Sequence, residues 1–159
     1  MQPQSTKSMT SISNIPKVSN IRSAPKFRQT VLLIDDQPTA LNIHAAIIKS
    51  LKMKLKIVSM TDDVEALAWL QNKQVDLIIT DFRMRHTDGM QFVQALKNAA
   101  NVLAHAIVVV TVLKEHAIHQ ELIAAGASAC LTKPAQTNEL AKIVKNLLVQ
   151  SKQYYALGL

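Results

Sequence analysis

The sequence predicts an α/β domain in which helices cover both faces of a five-stranded parallel sheet, a doubly wound arrangement. From about residue 30 onward, five short apolar runs alternate with segments of helical periodicity, and such alternation is typical of a parallel sheet. The runs are nearly continuous in apolar residues, as expected of strands that are buried on both faces. A chain of 159 residues, 48% of them hydrophobic, can bury one core of this size, so we expect one domain and a tail.

The five predicted strands are the short apolar runs themselves. In an open parallel sheet all the carboxyl ends of the strands lie along one edge, which is where such folds bind their ligands. The residues that directly follow each run are therefore the first candidates for a functional site. The runs are VLLI (31–34), LKIVSM (55–60), VDLIIT (75–80), AIVVVT (106–111) and ASACLT (127–132).

The segments between the runs have apolar residues every three to four positions, which predicts amphipathic helices. Pro38 can occupy the first turn of the first helix, and Thr61 or Asp62 can cap the second. The fourth helix is predicted over residues 113–125, and Gly126 after it is suited to a left-handed C-terminal cap. The third helix follows Asp88 and Gly89, and the fifth is predicted over residues 136–152.

Basic residues are concentrated at the start of the chain. Residues 1–29 contain five Lys or Arg and no acid, which gives +5 of the formal net charge of +7. This polar segment shows no sustained periodicity and cannot offset its ordering entropy by burial, so we predict a disordered basic tail over residues 1–29. We favour a solvated leader, with contact to nucleic acid, acidic lipid or an acidic protein as the alternative. The domain is predicted over residues 30–152 and a C-terminal tail over residues 153–159.

Composition also argues against several classes of protein and site. Cys130 is the only cysteine, so the chain has no internal disulfide and no cysteine cluster for structural zinc. His116 and His119 could bind a metal, but the sequence offers no third ligand, and we predict that both lie on an exposed helix face. No apolar run is long enough to span a membrane, and the first 29 residues lack the apolar centre of a secretory signal. We therefore expect a cytoplasmic protein.

Polar residues lie at the carboxyl ends of four of the five predicted strands. Asp35 and Asp36 follow the first, Asp81 the third and Lys133 the fifth, while Thr111 ends the fourth. Any one of them could simply cap a helix or begin a loop. Together they predict one crevice at the carboxyl edge of the sheet, because that edge brings the ends of all the strands together.

Three carboxylates in one crevice require a cation. Two carboxylates in close contact repel each other by about 4 kcal/mol at an effective dielectric constant near 20. Magnesium suits such a site, since it binds one or two carboxylates together with waters and a phosphate oxygen. A carboxylate beside it can act as a nucleophile and form an aspartyl phosphate, while a lysine and a hydroxyl group hold the remaining phosphoryl oxygens.

Because of these site residues, the segment from residue 30 to about 150 resembles the receiver domain of two-component response regulators. The resemblance implies a flavodoxin-like (βα)5 fold with strand order 2-1-3-4-5. It also implies a response regulator of the stand-alone, single-domain type, to which the chemotaxis regulator belongs. The matching motifs are LLIDDQP with its acidic pair, IITDFRM with Asp81, then Met84 and Gly89, VVVT with Thr111, Gly126-Ala127, and LTKP with Lys133.

The resemblance assigns a role to each site residue. Asp36 and Asp81, with the backbone carbonyl of Arg83, would bind Mg²⁺ directly, and Asp35 would bind it through water. Asp81 would accept the phosphoryl group from the phosphohistidine of a sensor histidine kinase or of a histidine phosphotransfer protein. The chain would not be an enzyme beyond catalysing its own phosphoryl transfer and autodephosphorylation.

The two remaining catalytic residues would act on the phosphoryl group itself. Thr111 would donate a hydrogen bond to it, and Lys133 would form an ion pair with it. The peptide bond between Lys133 and Pro134 is expected to be cis, as is common at this place in the family.

The sequence departs from the family pattern at three positions. Cys130 stands where most receivers have Tyr or Phe, so the usual aromatic switch is absent. Val112 replaces a small residue after Thr111 and could narrow the entry to Asp81, and Arg85 replaces a proline. Arg83 and Leu113 occupy positions that tune the lifetime of the phosphoryl group in the family, and we predict that apolar Leu113 prolongs it.

Three functions are compatible with the sequence. The first is a response regulator that is phosphorylated on Asp81 and signals through phosphorylation-dependent protein binding, or a phosphoryl relay or sink of the same class. The second is a pseudo-receiver scaffold that binds partners without phosphorylation. The third is nucleic-acid binding through the basic tail, which should weaken steeply with salt. Too few residues follow the last predicted helix for a DNA-binding or enzymatic output domain, and the downstream protein target is not specified by the sequence.

Overall fold

The computed structural model describes residues 28–99 and 106–157 and confirms the predicted α/β architecture. Five parallel strands form one sheet in the order β2-β1-β3-β4-β5, which is the order expected of a flavodoxin-like fold. The strands are β1 (Gln29–Ile34), β2 (Leu55–Met60), β3 (Leu77–Asp81), β4 (Ala106–Thr111) and β5 (Ala129–Thr132). The helices are α1 (Pro38–Lys49), α2 (Asp63–Leu70), α3 (Gly89–Asn98), α4 (His116–Ala125) and α5 (Thr137–Ala156).

The helix ends follow the predicted local signals. Pro38 is the first residue of α1. The N-cap of α2 is Asp62, not Thr61, since the Asp62 side chain accepts a hydrogen bond from the Glu65 backbone N–H. Gly126 ends α4 with a φ of 119°, the left-handed conformation that glycine adopts without the steric cost of a Cβ.

Several element boundaries differ from those predicted. Gln29, which we placed in the basic tail, is the first residue of β1, while residues 1–27 of that tail lie outside the described residues. Helix α4 begins at His116, three residues after the predicted start at Leu113. Helix α5 continues through the predicted end at Lys152 to Ala156, because neither proline nor glycine interrupts the sequence before Gly158.

The hydrophobic core consists of two layers, one on each face of the sheet. Side chains alternate between the faces along each strand: Val31 and Leu33 of β1 pack with α1 and α5, whereas Leu32 and Ile34 pack with α2, α3 and α4. All four are at most 1% exposed. This two-sided burial explains why β1, β3 and β4 are nearly continuously apolar.

A buried aspartate joins α5 to the amino edge of the sheet. Asp76, just before β3, accepts hydrogen bonds from the Thr30 backbone N–H at 2.8 Å and from the Ser151 hydroxyl at 2.9 Å. Both Asp76 and Ser151 are at most 5% exposed. Each oxygen of the Asp76 carboxylate therefore has a donor, and the end of α5 is fixed against the sheet.

Within the described part of the chain, no helix has both the length and the apolar character needed to cross a lipid bilayer.

Candidate functional site

Three carboxylates meet at the carboxyl edge of the sheet, as the sequence predicts. Asp35 and Asp36 directly follow β1, and Asp81 is the last residue of the neighbouring strand β3. One carboxylate oxygen from each of the three lies within 4.8 Å of the others. Such a set of hard oxygen donors fits a hard divalent cation such as Mg²⁺.

Asp35 is held rigidly in the centre of this edge. It is 1% exposed. Its Oδ1 accepts a hydrogen bond from the Gln37 backbone N–H at 2.9 Å, and its Oδ2 accepts one from Lys133 Nζ at 2.8 Å. These two bonds fix the orientation of the carboxylate between the start of α1 and the end of β5.

Lys133 lies between two of the carboxylates. Its Nζ is 2.8 Å from Asp35 Oδ2 and 3.2 Å from Asp81 Oδ2, with the lysine side chain 18% exposed. Burial alone would lower the pKa of Lys133, but the hydrogen bond to Asp35 and the charges of Asp81 and Asp35 outweigh it and raise the pKa. The ammonium group is therefore charged at neutral pH. The peptide bond from Lys133 to Pro134 is cis, as the resemblance led us to expect.

Burial makes the negative charge of Asp81 unfavourable despite the nearby Lys133. Burial of the Asp81 carboxyl raises its pKa, and the nearby negative charge of Asp35 raises it further. The positive charge and hydrogen bond of Lys133, together with a hydrogen bond from the Arg83 backbone, lower the pKa but do not reverse the shift. A raised pKa means that the ionised carboxylate is disfavoured where it stands, so an additional cation would stabilise it.

Thr111 lies beside these charges at the end of β4. Strand β4 pairs with β3 on one side and with β5 on the other, and the Lys133 backbone N–H donates to the Thr111 carbonyl at 2.6 Å. The threonine is fully buried, and its Oγ1 accepts a hydrogen bond from the Leu113 N–H at 3.1 Å. The hydroxyl group is thereby fixed next to the chain segment that leaves the sheet.

The positions that depart from the family pattern have distinct surroundings. Val112 is 55% exposed and lines a cavity of about 280 Å³ with His44, Lys133 and Pro134 among other residues. Cys130 is half-buried, and burial raises its pKa to about 11, which agrees with the interpretation of a small apolar strand residue and not a reactive thiol.

Two histidines have surroundings that were not predicted from the sequence. His119 is half-buried and its Nε2 donates to the Leu113 carbonyl at 2.7 Å, so the prediction of an exposed helix face holds for His116 but not for His119. His44 is buried in α1; burial lowers its pKa, with weaker and opposing effects from the charges of Asp35 and Lys133. Its position three residues after Leu41 in an apolar stripe was a detectable signal of burial, whereas no sequence spacing indicates the His119 contact.

Comparison with known proteins agrees with this geometry. The family model of the response regulator receiver domain matches residues 31–145. The chain belongs to the response regulator receiver domain family. This membership places it among proteins of two-component signalling, as the resemblance implied.

Similar proteins vary widely in length. The chain is 29% identical over 123 residues to the cyclic di-GMP phosphodiesterase response regulator RpfG of Xanthomonas campestris pv. campestris, a match that covers 77% of this chain and 32% of RpfG. It is 30% identical over 104 residues to a probable chemotaxis protein CheY of Rhizobium etli, covering 65% of this chain and 80% of that protein. Thus the chain spans about a third of RpfG.

A solved structure shows the same fold. The chemotaxis response regulator CheY4 of Vibrio cholerae superposes with a TM-score of 0.68 at 26% identity. The match covers 76% of this chain and 99% of CheY4.

Proposed function

We propose that this receiver domain accepts a phosphoryl group on Asp81 and signals by phosphorylation-dependent protein binding. The observation that supports this most strongly is the position of Lys133, whose Nζ lies 2.8 Å from Asp35 and 3.2 Å from Asp81 in a cluster of three carboxylates. A purely structural cluster would not need three acids for one base. The cluster has the composition needed to bind a cation and a phosphoryl group together.

In the proposed reaction, an Asp81 carboxylate oxygen attacks the phosphorus atom of a phosphohistidine on a sensor histidine kinase or a histidine phosphotransfer protein. A phosphorus–oxygen bond forms and the phosphorus–nitrogen bond breaks, and its electron pair returns to the imidazole of the donor. The product is a mixed anhydride on Asp81. The carboxylate must be ionised to attack, so neutralisation of its surroundings by cations favours the reaction.

The residues that would hold Mg²⁺ are Asp36, Asp81 and the backbone carbonyl of Arg83, with Asp35 acting through water. When bound, Mg²⁺ would offset the repulsion among the carboxylates and the charge of the incoming phosphoryl oxygens. Asp35 already accepts two hydrogen bonds, which leaves it suited to the indirect role. The raised pKa of Asp81 supports the same proposal, because burial makes the ionised carboxylate unfavourable despite the nearby Lys133, and a bound cation would stabilise it.

Lys133 and Thr111 would stabilise the transferred group. The Lys133 ammonium is already within 3.2 Å of Asp81 Oδ2, so a small shift would pair it with a phosphoryl oxygen. Thr111 Oγ1 accepts from the Leu113 N–H, which leaves the hydroxyl proton for donation to another phosphoryl oxygen. Such a bond would couple the state of Asp81 to the chain segment between β4 and α4.

A phosphoryl relay or sink is the second candidate. The observation that favours it is Cys130, a half-buried thiol on β5 at the position where the family pattern has an aromatic side chain. A relay needs no rearranged surface, because the phosphoryl group itself is passed on.

The proposal is tested by incubating the full chain with phosphoramidate and Mg²⁺ and weighing it by intact mass spectrometry. We expect a gain of one phosphoryl group that depends on Mg²⁺ and is absent in Asp81→Asn. Asp76→Asn is the matched control, since it changes a buried aspartate at the opposite edge of the sheet, and it should still be phosphorylated. No gain by the wild type, with Mg²⁺ binding intact, would favour the pseudo-receiver scaffold.

A further inference from the structure

A second group of potential metal ligands lies away from the carboxylates of the candidate site. Asp62 and Asp63 stand at the start of α2, and His86 lies in the loop between β3 and α3. One ligand atom from each of the three lies within 4.8 Å of the other two. None of these residues has a role in the proposed phosphoryl transfer.

Asp63 is the inner member of this group and lacks a full set of partners. It is 0% exposed. Its Oδ2 accepts a hydrogen bond from the Thr87 hydroxyl, but its Oδ1 is buried without any hydrogen-bond partner in the described structure. A buried carboxylate oxygen without a donor is unfavourable unless a cation or a water molecule contacts it.

Asp62 and His86 form the outer side of the group. His86 Nε2 is 3.3 Å from Asp62 Oδ2, with the side chains 53% and 37% exposed, respectively. The other oxygen of Asp62 caps α2 through the Glu65 N–H. Because both of these side chains are partly exposed, an ion can approach the buried Asp63 from the solvent side of the group.

We infer that Asp62, Asp63 and His86 bind a divalent transition-metal ion, with Zn²⁺ as the representative. Two carboxylates and one imidazole are a mixed oxygen and nitrogen set, which suits Zn²⁺ better than Mg²⁺ because imidazole is a good ligand for zinc. Three protein ligands leave a fourth tetrahedral position for water. The bound ion gives the buried Asp63 carboxylate a counter-charge.

Metal binding at this place has a structural consequence. His86 and Thr87 belong to the loop that follows Asp81, whereas Asp62 and Asp63 belong to the start of α2. An ion shared by both segments fixes the loop after β3 to α2. The site therefore restrains the chain immediately downstream of Asp81.

The inference is tested by isothermal titration of the full chain with Zn²⁺ in saturating Mg²⁺. We expect one Zn²⁺ per chain, with binding at least about tenfold weaker in His86→Ala and in Asp63→Asn. Far-ultraviolet circular dichroism checks that both variants are folded. His86→Ala removes only an exposed side chain, so it remains informative if Asp63→Asn does not fold.

Two control variants separate this site from the other candidates. His116→Ala removes an exposed histidine on α4 that contacts Gln120, and Asp36→Asn alters the carboxylates beside Asp81. Both should bind Zn²⁺ as the wild type does. The inference is wrong if the wild type binds no Zn²⁺, if His86→Ala binds it equally well, or if binding is lost in His116→Ala or Asp36→Asn. None of these outcomes depends on whether Asp81 is phosphorylated.

Discussion

Both edges of the sheet contain buried aspartate, but the negative charge is stabilised differently at each edge. At the amino edge, the carboxylate of Asp76 accepts one neutral donor on each oxygen, from Thr30 N–H and from Ser151 Oγ. At the carboxyl edge, Asp35, Asp36 and Asp81 lie together, and Lys133 pairs with Asp35 and Asp81. The cluster there has two more negative charges than positive ones.

This difference distinguishes a structural carboxylate from those that we propose to be functional. Burial alone does not, because Asp76 and Asp35 are at most 5% exposed. Hydrogen bonds from neutral donors stabilise the Asp76 carboxylate and give each of its oxygens a partner. Several carboxylates close to one lysine remain repulsive, and a further cation or the protonation of a carboxylate relieves this repulsion. An excess of like charge is thus the better indicator of a ligand site.

The largest expected effect is that of Lys133→Met. Asp35 is 2% exposed in its side chain and would lose its ion-pair partner, and breaking a buried ion pair from one side costs roughly 3 kcal/mol or more. Urea denaturation in buffer without divalent cations should show this loss of unfolding free energy. Added Mg²⁺ should restore part of it, and an equally stable variant without Mg²⁺ would show that the carboxylates do not depend on Lys133.

Asp76→Ala should cost less, about 2 kcal/mol, because it leaves the half-buried Thr30 N–H and the buried Ser151 hydroxyl without that acceptor. Asp81→Asn is the matched comparison at the other edge. Since the pKa of Asp81 is raised, its charge is unfavourable in the folded state, and Asn should leave the unfolding free energy unchanged or increase it. Equal losses in the two variants, measured by urea denaturation without Mg²⁺, would remove the distinction between the edges.

Acid should destabilise the domain through His44. Burial lowers its pKa below the usual value of 6.5, so below about pH 6.5 the unfolded chain binds a proton that the folded chain does not. Unfolding free energy then decreases as the pH falls, by at most ~1.4 kcal/mol per pH unit for one such group. Denaturation at several pH values should show a smaller decrease in His44→Leu than in wild type, whereas His116→Ala should behave as wild type does.

The smallest expected effect concerns the lifetime of the phosphoryl group. Leu113 is half-buried, and its N–H donates to Thr111 Oγ1, so it lies next to the proposed phosphorylation site, where we predict that an apolar side chain hinders an attacking water. Leu113→Gln should speed dephosphorylation several-fold without preventing phosphorylation. The decay of phosphorylated chain followed by mass spectrometry checks this, and an unchanged decay rate would contradict it.

The parts of the fold that could be predicted are those encoded by short sequence intervals. Continuous apolar runs located the strands because both faces of the sheet are buried, and the acids after two of them located the site. Caps at Asp62 and Gly126 follow from local hydrogen bonding and backbone sterics. By contrast, Gln29 has no apolar character, and its place in β1 depends on pairing with β2.

Contacts between distant segments were not predictable in the same way. Asp76 was read as part of a strand, and its partner Ser151 is 75 residues away. The bond from His119 to the Leu113 carbonyl depends on where α4 begins. The group of Asp62, Asp63 and His86 requires two loops to lie side by side. Each of these contacts depends on the packing of the whole domain.

The central claim, that the carboxyl edge holds its acids for a divalent cation, is tested most directly by the Mg²⁺ dependence of unfolding free energy. Wild type should gain stability with Mg²⁺, by about 2.7 kcal/mol when Mg²⁺ is a hundredfold above its dissociation constant. Asp76→Asn should gain as much, and Asp36→Asn should gain little. A wild type that Mg²⁺ does not stabilise, or a full gain in Asp36→Asn, would contradict the claim.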